Sequence, residues 1–455
     1  MHIGGECVSV LTDCTFTNNS SSSGGAVFLI DNGSTFVNCT FIGNQANVNG
    51  GAMALHNFYD FDIIIITCTF TENSAAERGG AIYNYSGDDK ITIALCYFKS
   101  NEAASGGAVY DYGYISKISS CVFTQNTALE NGGALERIYG PIENCIFTEN
   151  IAGDYGGALF NCDGTISSCT IENNSAGGGY IGNYDTIGGG GLAACSGTIE
   201  NCSITGNTAL YGGGLSRCNG TIINCEISGN TAEAGGGLGH CDAIVIKCII
   251  KGNSSQFGGG LFECEGVITN CIIADNTATF YGGGLHYFNG TINNCLIVGN
   301  SSDNRGGGLD YCYDTIRNCT IAGNTAAYGG GLYSCSGTIT NCIISGNSTQ
   351  LDSCPIPTYS CIENWTGGGQ GNIDEPPLFV DESNDDYHLR QDSPCINAGD
   401  PAFVAEEEET DIDGQNRIMG GRVDMGADEV FTDNQLLTVA PVSYTHLTLP
   451  TTPYV

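Results

Sequence analysis

Apolar and polar positions recur along most of this chain with a single long period. Alignment on Cys14, Cys39, Cys68, Cys96, Cys121, Cys145, Cys169, Cys202, Cys225, Cys248, Cys271, Cys295, Cys319 and Cys342 gives spacings mostly of 23 to 25 residues, stretching to 28, 29 and once 33. Two residues after each cysteine stands an apolar residue: Phe in the first six units (Phe16 to Phe147), Ile in the last eight (Ile171 to Ile344). Five residues after each cysteine stands an asparagine: Asn19, Asn44, Asn73, Asn101, Asn126, Asn150, Asn174, Asn207, Asn230, Asn253, Asn276, Asn300, Asn324 and Asn347. A glycine pair or triplet and an apolar residue follow, as in Gly79-Gly80-Ala81-Ile82 or Gly212-Gly213-Gly214-Leu215.

The best-formed unit reads C-x-I-x-x-N-T-A-x-x-G-G-G-L-x-x-C-x-G-T-I-x-N. Cys225 and Ile227, two apart, point to one side of a short strand, because side chains alternate along a strand. Leu238 and Ile222 mark two further strands, with Gly and Asn at the bends, where left-handed backbone is tolerated. No stretch sustains helical spacing of apolar residues. Three strands and three corners per unit predict one turn of a parallel β-helix. The fold class is all-β, a solenoid of about 14 coils and roughly 65 Å long at about 4.8 Å per coil. Stacking turns each repeated residue into a ladder. Side-chain amides both donate and accept, so stacked asparagines are expected to bond along their column and satisfy bent backbone.

Seven units carry a second cysteine seven residues before the first, as in Cys162/Cys169 and Cys335/Cys342, and one unit has Phe288 in that place. That exchange favours buried thiols packed as small apolar groups, with some disulfides as the alternative. No CxxC or Cys/His cluster supports a metal site on these residues. Cys7, Cys354, Cys361 and Cys395 lie outside the ladders, and Cys354 with Cys361 or Cys395 is the expected disulfide in an oxidising compartment.

Composition then narrows the function. The 455 residues hold 13 Lys and Arg against 49 Asp and Glu, for a net charge of −36. A phosphate-rich partner is excluded, since nucleic-acid affinity rests on Lys and Arg. No run of 18 apolar residues predicts a membrane-spanning helix. The opening MHIGGECVSVLTDC reads as the inside of a repeat rather than a signal peptide, so the natural start is expected upstream.

The first six units read F-x-x-N followed by G-G-A and an apolar residue, as in Phe70 to Asn73 and then Gly79 to Ile82. This resembles the repeat of chlamydial-type polymorphic outer membrane proteins. The later I-x-x-N and GGGL units are similar to those of bacterial right-handed β-helix surface proteins. The resemblance covers about residues 1–350 and implies right-handed winding and a secreted or outer-surface location. After Asn347 the period stops. Asp386-Tyr387-His388-Leu389, Ser393 to Asp400, Asp411 to Gln415 and Arg422 to Ala427 resemble the choice-of-anchor domain that closes many such proteins. Residues 351–435 are therefore read as an acidic cap over the open edge of the last coil. Residues 436–455 form a tail, and Val442 onward looks like a translated adaptor scar on a truncated gene.

Three sets of residues invite chemistry. Arg217, His240, Glu263 and Tyr287 fall on four successive coils, a possible acid/base stripe of a polysaccharide lyase or glycoside hydrolase on an exposed strand face. Tyr155, Tyr211, Phe257, Tyr281 and Tyr328 precede the glycines and are weighed as a ring platform for sugars against rings that pack on each other. Asp411-Ile412-Asp413-Gly414 is a weak calcium candidate, since the twelfth position of an EF-hand count falls on Arg422. The run Glu406 to Glu409 reads as a solvated loop. No cofactor other than calcium is suggested. The expectation is a monomeric, adhesin-like or structural rod outside the cell, associated with an outer membrane. It would contact a host or environmental glycan or protein surface without catalysis, the glycan-cleaving enzyme being the second reading.

Overall fold

A computed structural model of the chain describes residues 1–5, 8–56, 62–85, 90–181 and 185–431. Cys7 and the tail from 436, including the segment from Val442, lie outside these. The described chain is an all-β parallel solenoid built on three long sheets. One sheet of 15 strands runs from His2–Gly4 to Leu351–Asp352 and carries the leucine after the glycines, in register as Leu135, Leu159, Leu192 and Leu215. A second, of 14 strands, runs from Val8–Thr12 to Ile339–Thr340 and carries the Gly-Thr-Ile segment. The third, of 15 strands, runs from Thr15–Thr17 to Cys361–Ile362 and carries the residue two after each ladder cysteine.

The structure adds a fourth column that the three-strand reading omitted. Strands mostly two residues long follow the ladder asparagine, in runs of seven and of three. The extra length of the 33-residue unit holds an antiparallel pair, Gly179–Ile181 with Asp185–Ile187, that belongs to none of the long sheets.

The corners also differ from the sequence reading. The ladder asparagine is not the left-handed residue; its predecessor is. Glu72, Ser100, Gln125 and Glu149 precede Asn73, Asn101, Asn126 and Asn150 with φ of 52 to 57°. The residue before every ladder cysteine is left-handed too, with φ of 51 to 54°, and eight of these fourteen are asparagine. A single left-handed residue reverses the side-chain alternation, so the next residue points inward. Asparagine suits that corner because its short polar side chain tolerates the conformation.

Inside, like stacks on like. From Asn19 to Asn347 each ladder Nδ2 donates to the Oδ1 of the next coil at 2.8 to 3.1 Å, thirteen links without a gap. The same Oδ1 accepts the backbone N–H of the preceding asparagine, as from Asn174 to Asn207 at 2.9 Å. The second Nδ2 proton goes to a backbone carbonyl, as from Asn207 to Ile171 at 2.9 Å. At the far end Asn347 donates to Gln350 Oε1, which closes the column. Phe16, Phe41, Phe70, Phe98, Phe123 and Phe147 stack with centroids 4.6 to 5.0 Å apart and planes within 6°.

The described cysteines are free thiols. In the main ladder Cys68 donates its S–H to the Ile66 carbonyl at 3.3 Å, while its N–H meets Cys96 Sγ at 3.4 Å. Cys354 does not lie outside the ladders, as expected from spacing. It extends the second column, taking the N–H of Cys335 at 3.4 Å. Cys361 and Cys395 share a separate apolar cluster with Leu389 and Met425, so Cys354 is not their partner.

Two stability outcomes follow from this interior. Asn207→Ala orphans the Asn174 N–H and one Nδ2 proton, each buried, at about 1–3 kcal/mol per group. Urea unfolding should show a loss of about 3 kcal/mol; a loss below about 1 kcal/mol would mean that the ladder is dispensable. Leu95 is 56% exposed with φ of 54°, so Leu95→Asn should raise stability by about 1 kcal/mol in the same assay.

Candidate functional site

The four residues of the proposed stripe come together, though not on a strand face. The Leu-sheet strands end at Ser216, Gly239, Phe262 and His286. Arg217, His240, Glu263 and Tyr287 are the next residues, each left-handed with φ of 44 to 54°. They form a corner column. Period-two alternation ends at the strand, and the left-handed residue throws the side chain out at the turn. A second column, two residues on, faces them: Asn219, Asp242, Glu265, Asn289 and Tyr313. Asp242, Glu265 and Asn289 are paired in register on successive coils. Sequence alignment missed this column, whose signal was the single residue after the second cysteine, or after Phe288 in the unit that replaces it.

Between the columns lies an open groove of about 640 Å³. His240 Nδ1 is 3.4 Å from Glu263 Oε2. Partial burial raises the Glu263 carboxyl above the usual carboxylate range, against the opposing charge of His286. Burial and then the neighbouring Glu265 raise Asp242. Tyr287 stacks on Tyr311 at 5.1 Å and on Tyr313 at 6.1 Å. The groove thus offers a guanidinium, an imidazole, carboxylates, amides and ring faces along five coils. Such a mixture suits hydroxyl-rich ligands, which need both hydrogen-bond partners and flat apolar surfaces.

The ring column is interrupted: Ala234 stands between Tyr211 and Phe257, and Arg305 between Tyr281 and Tyr328. The rings bend over the Leu sheet instead of standing free. Phe257 lies 5.7 Å from Tyr281, and Tyr281 5.7 Å from His286. Beneath them His286 Nδ1 meets Asp310 Oδ2 at 2.7 Å, with both side chains buried. The Arg305 guanidinium covers Tyr281 at 4.0 Å. Tyr155 contacts Phe160 at 5.9 Å, and Tyr328 alone of the five is largely exposed.

The C-terminal segment folds back from the last coil. It lies along the outer flank over several coils. Tyr387 packs on Ala274, Val298 and Ala322. Asn293 and Asn294 donate to Glu409 Oε1 at 3.0 and 3.2 Å, and Arg317 pairs with Glu409 at 3.4 Å. Within the supposedly solvated acidic run, Glu409 is therefore an anchor, with its side chain 6% exposed. Asn341 Oδ1 accepts from Asp400 N–H at 2.7 Å, and Ala427 N–H donates to Thr320 Oγ1 at 3.0 Å.

Within this segment Arg417 is fully buried against Glu429, 3.9 Å away. Asp411, of the calcium candidate, is also buried. Its Oδ1 accepts from the N–H groups of Asp413 and Gln415, and its Oδ2 from Glu429. Asp413 is exposed and faces His388 Nε2 at 2.8 Å.

Burial raises Asp424 to about 6 and Glu429 to about 8. A carboxyl whose pKa is higher folded than unfolded binds its proton more tightly in the folded state. Its contribution is full below about pH 4 and is lost as pH rises through the folded value. The flank segment should therefore resist limited proteolysis better at pH 5 than at pH 8. Equal or greater protection at pH 8 would contradict this burial.

Residues 156–313 match the model of the right handed beta helix region. Residues 13–29, 67–85 and 120–136 match the Chlamydia polymorphic membrane protein repeat, on the Phe-x-x-Asn units read above. No curated protein matches the chain. Among the described residues no helix is long and apolar enough to cross a membrane, which leaves β-barrels unaddressed. By these matches the chain is similar to right-handed β-helix regions and, in three of its first units, to the repeat of the Chlamydia polymorphic membrane proteins.

Proposed function

We propose that this chain is a secreted or cell-surface rod, adhesin-like and associated with an outer membrane, that binds a glycan without cleaving it. The observation that carries the reading is the corner groove, in which Arg217, His240, Glu263 and Tyr287 meet a second polar column. The Phe-x-x-Asn repeats and the choice-of-anchor resemblance of residues 351–435 support display outside the cell. The net charge of −36 speaks against a polyanionic partner, so a neutral or amino-bearing sugar chain fits best.

A glycan-cleaving enzyme is the second reading, favoured by one observation: the Glu263 carboxyl is raised and lies 3.4 Å from His240. A raised carboxyl is what a general acid needs. The two readings separate in one experiment. A glycan array of the purified chain should give binding that Arg217→Ala and Tyr287→Ala each weaken by about tenfold, while soluble polysaccharides release no reducing-end or unsaturated product. Product release abolished by Glu263→Gln would make the protein an enzyme. Silence of the array, with capture of a protein surface instead, would overturn the glycan.

A further inference from the structure

Away from the groove, the flank segment gathers an imidazole and three carboxylates that the solenoid does not use. His388 lies in the strand Asp386–Leu389, and each of its ring nitrogens meets a carboxylate. Nδ1 is 2.5 Å from Asp386 Oδ1, and Nε2 is 2.8 Å from Asp413 Oδ2. Asp428 completes the group: donor atoms of His388, Asp413 and Asp428 all lie within 4.8 Å of one another. Asp428 is buried and held by the Leu389 N–H at 2.7 Å, while the turn bearing Asp413 is held by Asp411.

We propose that His388, Asp413 and Asp428 bind one divalent transition-metal cation of the Zn²⁺ or Mn²⁺ class. Convergence of carboxylates alone would not carry this. The independent feature is Asp386, which takes the Nδ1 side of the ring. A carboxylate on the far nitrogen is the usual orienting partner of a metal-bound histidine, because it fixes the tautomer and turns the other lone pair toward the cation. Here that lone pair would face Asp413 and Asp428. One nitrogen with two carboxylates suits Zn²⁺ or Mn²⁺, whereas calcium takes six to eight oxygens. The bound ion would tie the strand at 386–389 to the turn at 411–415 and to Asp428, three stretches of the segment that grips the flank.

The test uses the full, untagged chain stripped with EDTA. Calorimetric titration with Mn²⁺, and separately with Zn²⁺, should show a single saturable site per chain. His388→Ala and the near-isosteric Asp413→Asn should each weaken it by about 10–100-fold while leaving the circular dichroism of the solenoid unchanged. Co²⁺ should give weak d–d bands without a thiolate charge-transfer band, which separates this site from the cysteine ladders. Calcium should not compete. No saturable uptake, uptake equal in both variants, a thiolate band, or a preference for calcium would each overturn the proposal.

Discussion

The ladder carboxamide is the interaction on which the coil depends. A parallel solenoid must turn its backbone several times per coil, and every turn leaves buried N–H and C=O groups outside the sheet ladders. Unpaired, each would cost about as much as a hydrogen bond lost in an apolar medium. An asparagine placed just inside the corner answers this with one side chain. Its oxygen takes the N–H and the amide of the coil below, and its nitrogen reaches a carbonyl and the next amide in line. Neither aspartate nor serine has that donor and acceptor set. From Asn44 to Asn324 these side chains are no more than 1% exposed, so water is no substitute. The Phe and Ile columns fill space around the ladder, but apolar filling alone would leave the corners unpaired.

Much of this was legible in the residues because a solenoid repeats its contacts at the sequence period. The Cys, Phe or Ile, Asn and Gly positions determined the number of coils and the inward columns, and right-handed winding came from resemblance. The corners were harder. The Gly-Thr-Ile-x-Asn end of the unit already carried the corner asparagine, yet the ladder asparagine looked like the bend because both are Asn. Backbone handedness is not written in residue type alone, as left-handed Thr67, Leu95 and Lys247 demonstrate.

The groove was half legible. Coil-to-coil alignment placed Arg217, His240, Glu263 and Tyr287 together. It could not show that they leave the strand at a turn and face Asp242 and Glu265. The docking of the C-terminal segment was not legible at all. Asn270 meets Thr410 across 140 residues and Asn294 meets Glu409 across 115, and neither pair leaves a periodic trace. Cys361 and Cys395 likewise meet only because the segment folds back.

That folding back bears on how such a chain counts. Coils that share the same inward residues are nearly interchangeable, so a solenoid slipped by one rung would keep most of its core and hide the error. The outward residues are not interchangeable. The flank segment needs Asn270 at the height of Thr410, Asn293 and Arg317 together at that of Glu409, and Asn341 at that of Asp400. A misthreaded stack would present the wrong residue to at least one of them. The segment thus works as a ruler laid against the last coils, and docking rewards only the chain whose rungs are in proper sequence.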